Sequence, residues 1–149
     1  MTKSIWTDKA SVENVLTTEL NAAAAAGRAI STAAISNDAA GERYLYADFL
    51  LLIASQSATR TAGPNATLYI LPEVNAIYPY GATDLAPQAE LAVGSFSFDS
   101  ASAAARYAVL RGVLLPPSDF HVMVGNNTGI VLADTGNTLV MERYNIEAV

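Results

Sequence analysis

Ser118, Asp119 and His121 place a nucleophile, an acid and a base within one short stretch, "LPPSDFHVMVGNNTG" (Leu115 to Gly129), which holds the only histidine of the chain. A hydrolytic triad needs the acid on one imidazole nitrogen and the nucleophile on the other. On an extended strand Asp119 and His121 share a face about 6.5–7 Å apart, and Ser118 falls on the opposite one. No glycine-rich elbow exposes the serine. The expectation is therefore a plain strand histidine opposite an apolar face of Phe120, Val122 and Val124, no catalytic residue, and a protein that is not an enzyme.

Metal and cofactor chemistry is as poorly supported. One histidine and no cysteine cannot build a zinc site without carboxylates, and the acids are dispersed. "NDAAGE" (Asn37 to Glu42) has the composition of a calcium loop but lacks its alternating ligands, so an ordinary turn is expected. Gly125, Gly129 and Gly136 follow no nucleotide-binding pattern and open no helix. No cofactor and no metal ligand is expected. Asn65-Ala66-Thr67 and Asn126-Asn127-Thr128 match the glycosylation sequon and read as turn-forming asparagines.

The exposed aromatics are the remaining candidates. Trp6 sits in the N-terminal stretch, and Tyr78 and Tyr80 flank Pro79 in the long irregular segment Glu73 to Gln88. Tyrosine and tryptophan give large contact area at low entropic cost, and long loops in small domains are often functional. Two readings stand side by side: Trp6, Tyr78 and Tyr80 anchor a partner, or they close the end of their own core.

The elements that position these residues follow from periodicity. "TDKASVENVLTTELNAAAAAG" carries Val12, Val15, Leu16, Glu19 and Leu20 at helical spacing, with Ser11 or Asp8 as cap, and predicts one short helix, with Ala22 to Ala26 either extending it to Gly27 or forming a floppy connection. From Arg28 onward the signals are β, beginning with the short, weakly alternating "AISTAAISN". "ERYLYADFLLLIA" puts Leu45, Ala47, Phe49, Leu51 and Ile53 on one face, and its other face becomes apolar at Leu50 and Leu52. "ATLYILP", "ELAVGSFSF" (with Gly94 as a bulge or close approach), "ARYAVLRGVLL", "DFHVMVGN", "GIVLAD" and "NTLVMERYNI" follow, the last two joined by the turn Asp134 to Asn137. About eight short strands without intervening helices predict an all-β, jelly-roll-like sandwich, with an immunoglobulin-like sandwich as the rival. Residues 1–27 are expected as an N-terminal arm or short helix, and residues 28–149 as a single sandwich domain.

Composition narrows the partners. In 149 residues there are 8 Lys+Arg against 14 Asp+Glu, net −6, and the arginines are scattered singly. That excludes the cationic cluster a nucleic-acid binder needs and argues against adhesion to an anionic membrane. The densest apolar run, Phe49 to Ala54, is far short of the ~20 residues of a spanning helix, and the first twenty residues show no targeting pattern. A soluble, cytoplasmically made chain is expected. Charged residues make up only 15%, against roughly 25% in ordinary domains, which points to a surface meant to be covered by a subunit or partner.

Taken in order, "LTTELN", "RYLYADFLLLIAS", "TAGPNATLYILPEVNAIYPYG", "LRGVLLPPSDFHVMVGNNTG" and "DTGNTLVMERYNIE" resemble a group of small virion proteins of tailed bacteriophages that includes jelly-roll capsid cement (decoration) proteins. The resemblance runs from about Leu16 to Glu147. It implies a scaffold and a structural role and carries over no active-site residue. The implied partners are the major capsid protein and further copies of the chain as a homo-oligomer. The implied location is the capsid exterior of the virion, after synthesis in the host bacterial cytoplasm. The alternatives are a glycan-binding jelly roll, with Tyr78 and Tyr80 stacking on sugar rings, and a minor head or tail component.

Overall fold

A computed structural model describes residues 4–6, 9–37, 43–78, 89–98 and 101–148. Among them are ten strands: β1 Ser4–Trp6, β2 Glu13–Leu16, β3 Arg28–Ile30, β4 Tyr46–Ile53, β5 Gly63–Pro72, β6 Ala92–Phe98, β7 Arg106–Leu114, β8 Phe120–Asn126, β9 Thr138–Tyr144 and β10 Ile146–Ala148. In β4 the period-two pattern is realised in full: Ala47, Phe49, Leu51 and Ile53 are buried, and the residues between them are half-buried. Leu45 precedes the strand and is exposed.

Two four-stranded antiparallel sheets form, in the orders β2-β9-β4-β7 and β3-β8-β5-β6. Counting only these eight strands along the chain, the orders are 1-8-3-6 and 2-7-4-5, the interleaved Greek keys of a jelly roll. The inner faces meet through Leu16, Phe49, Leu68, Phe96, Phe120 and Leu139, all fully buried. β6 and β7 close one side of the sandwich, where a Cβ on Gly94 would lie 3.1 Å from Leu110 Cδ1. That glycine is both a close approach and the neighbour of a register shift against β5.

The N-terminal stretch departs from the expected helix. Residues 13–16 are strand β2, paired with β9 (Glu13 opposite Met141, Leu16 opposite Leu139), and only Thr18–Leu20 makes a helical turn, of 3-10 type. Val12, Val15, Leu16 and Leu20 fit a helix by spacing, but Leu16 is buried by pairing on β9 and Leu20 in the 3-10 turn, and tertiary pairing overrides propensity. The alanine run turns twice instead of coiling, with Ala22 and Ala26 at φ 54° and 60°. Residues 13–20 thus belong to the sandwich.

"GIVLAD" also departs. It forms no strand: Leu132 is buried and donates its N–H to the carbonyl of Ala23, while Val131 is exposed. The following turn is organised by Asn137, whose side chain accepts from the Ala54 N–H and donates to Asn21 Oδ1 and the Ala133 carbonyl. The chain ends meet in a separate ribbon, β1 against β10.

Candidate functional site

The residues first considered do not converge. Asp119 Oδ1 accepts the backbone N–H of Asn37 at 2.9 Å, and the loop at 38–42 lies outside the described residues. The imidazole of His121 has different partners. Nδ1 lies 3.1 Å from Ser31 Oγ and 2.9 Å from the Ser31 carbonyl, and Nε2 lies 3.0 Å from Glu73 Oε1. β8 is the second strand of its sheet, flanked by β3 and β5, so its outward side chains are walled on both sides. His121 is 5% exposed, and all seven residues of β8 are buried.

The trio inverts a triad. The carboxylate sits on Nε2 and the serine on Nδ1, whereas acyl transfer requires the reverse. Ser31 Oγ also accepts the Val122 N–H at 3.2 Å, and Ser31 is 5% exposed. A buried hydroxyl already engaged by the backbone suits a structural pin. The link to the chain that leaves β5 runs through the imidazole, from Nε2 to Glu73.

The described start of that chain, residues 73–78, is well tied. Glu73 donates its N–H to the Asp119 carbonyl, and Val74 and Ile77 exchange both backbone hydrogen bonds across Asn75 and Ala76, at φ 54° and 57°. Two consecutive positive φ values make a type I′ turn. Its flanks Val74 and Ile77 are 75% and 70% exposed. Tyr78 then folds back, its ring 4.2 Å from the imidazole of His121. The result is a braced hairpin tip that presents two large apolar side chains to solvent.

Of the three aromatic candidates, Tyr78 is half-buried on His121. Trp6 is placed by its backbone, opposite Ile146 in the terminal ribbon. Tyr80 lies outside the described residues. Sequence reasoning missed Val74 and Ile77. The signal was present as two apolar residues around Asn-Ala, but Ala is not the glycine that advertises such a turn.

The sequons resolve into structure. Asn126 is buried, its side-chain nitrogen shares its two N–H groups among the carbonyls of Ala23, Ala24 and Ile130, and its Oδ1 accepts from Thr128. Asn65 is buried and bonded to the Thr61 carbonyl.

A second polar cluster lies on the outer face of the β2-β9-β4-β7 sheet. Lys9 Nζ reaches Asp48 Oδ2 at 2.8 Å and Glu142 Oε2 at 2.6 Å, and sits 5.5 Å from the ring centre of Tyr144. Asp48 Oδ1 accepts the Gly112 N–H at 2.9 Å and the Tyr144 hydroxyl at 3.3 Å. Gly112, at φ 66°, is half of a bulge in which two residues of β7 oppose Asp48. Partial burial pushes the Asp48 carboxyl up, but Lys9, Gly112 and Tyr144 together hold it below its ordinary value. Hydrogen bonds to Asp48 and then Glu142 raise Lys9, while burial and then Asp48 raise Tyr144. Among the described residues no three His, Asp or Glu side chains gather as metal ligands. No protein-family model matches this sequence, and no curated protein matches it.

Proposed function

We propose that the chain is a non-enzymatic structural protein of a tailed-phage virion, a cement protein that binds the outside of the assembled head and stabilises it. The observation that carries this reading is the braced tip: Val74 and Ile77 stand exposed on a type I′ turn fixed from below by Glu73, His121 and Tyr78. A protein that docks many times on one fixed lattice benefits from rigid apolar contacts, because little conformational freedom is lost on binding. Low charge agrees with a surface that ends up covered, and the phage resemblance of the sequence points the same way.

The major capsid protein is the partner of this reading, and copy number is its test. Purified virions should contain the chain in amounts comparable to the capsid lattice, and virions lacking it should lose their genome at lower temperature. A few copies per particle would assign it to the minor head or tail components instead. The glycan-binding alternative relies on free tyrosine faces, and the ring of Tyr78 is engaged by His121.

A further inference from the structure

The outer face of the β2-β9-β4-β7 sheet is apolar where a solvated sheet face is normally polar. Leu50 sits between Val109 on β7 and Val140 on β9, and Leu52 lies beside Tyr107. Val109 is 47% and Tyr107 66% exposed, while Leu50, Leu52 and Val140 are half-buried. These side chains form one continuous patch across three strands, extended by the exposed Val12 at the β2 edge. We infer that this face is a self-association surface, on which two copies of the chain stack sheet against sheet.

Charge selects a second copy as the occupant. The charged side chains around the shallow groove on this face are Lys9, Arg111, Asp48 and Glu142, two of each sign, in a chain of net charge −6. Copies that repel one another elsewhere meet a neutral surface here. A polyanion or a strongly basic partner would find no complementary field.

The patch is small. Its strands β4, β7 and β9 run eight, nine and seven residues, so at a spacing of about 4.8 Å and a rise of about 3.3 Å per residue they present roughly 400 Å². Two such faces bury roughly 800 Å², the size of a weak, reversible contact. Sheets stacked in this way approach to about 10 Å, close enough for Leu50 and Val109 to interdigitate with their partners.

The inference does not rest on the capsid reading, and its test uses the purified chain alone. Sedimentation velocity over about 1 to 300 µM, the range in which small interfaces associate, should show the mass rise from 15.6 kDa to that of a dimer. Val109→Glu and Tyr107→Glu, both exposed in the monomer, should stay monomeric throughout while unfolding as cooperatively as wild type. The double variant Val74→Ser/Ile77→Ser should dimerise normally. A wild-type monomer over the whole series overturns the inference. So does unchanged dimerisation of both sheet variants, or loss of dimer in the tip variant. A monomeric chain present at high copy number on virions would remove this inference and leave the cement reading in place.

Discussion

Asp48 accepts from a side-chain ammonium, a backbone N–H and a phenol at once, so its charged form is favoured in the folded chain. Its folded pKa lies below the ordinary 3.8. A depressed carboxyl contributes stability that is fully present above the unfolded pKa and is lost as pH falls through the folded one. Asp48→Asn should therefore cost about 1–2 kcal/mol at about pH 7 and less at about pH 2, read from urea midpoints. Equal losses at both pH values would mean that the charge is not what Asp48 contributes. His121 is a different case, since its two nitrogens tie Ser31 on one side and Glu73 on the other. His121→Ala leaves the buried Ser31 carbonyl and Glu73 without that partner and takes away the surface under Tyr78. A loss of about 2–3 kcal/mol is expected, with faster hydrogen exchange at Val74 and Ile77 than in β4. A variant within about 0.5 kcal/mol of wild type, the range of ordinary surface substitutions, would make His121 the incidental residue that the sequence suggests.

Ala76 shows how an element can be tight yet strained. A non-glycine residue at φ 57° costs roughly 1 kcal/mol, and Asn-Gly is the preferred pair for this turn. Ala76→Gly should raise stability by about 0.5–1 kcal/mol and leave the Val74–Ile77 pairing intact. Destabilisation would show that the turn draws on contacts of the Ala76 methyl. Much of the rest was legible. The alternation of β4, the stop at Pro72 and the punctuation of β8 by prolines and asparagines are local signals, and each is local in the structure. What escaped is non-local. His121 on the outer face of β8 is buried with Glu73 and Tyr78, from beyond β5, lying against it, and nothing in "DFHVMVGN" records that cover. Val12 to Leu20 satisfies two periodicities, and pairing with β9, more than a hundred residues away, decides between them. Asn126 was readable as a turn former, but its bonds to Ala23 and Ala24 span most of the chain.

At the scale of the whole molecule, cement is a linkage effect: a ligand that binds only the assembled shell stabilises it by about 2.7 kcal/mol per site at a free concentration one hundred times Kd. The contact proposed here is apolar, through Val74 and Ile77. Burying such side chains is worth about 1.5–3 kcal/mol each. Removing both, as in Val74→Ser/Ile77→Ser, should weaken binding to shells by at least about one hundredfold, since each factor of ten is about 1.4 kcal/mol. A chain with few charges also predicts weak salt dependence, because screening acts on charges and not on buried hydrocarbon. Shells stripped of the protein and re-dressed with purified chain should recover their disruption temperature equally in about 50 mM and about 500 mM salt, conditions that differ severalfold in Debye length. The tip variant should fail to restore it in either, while keeping the unfolding midpoint of the free protein. Binding that collapses with salt and ignores the tip variant would place the contact on charged groups and refute the apolar tip as the docking element.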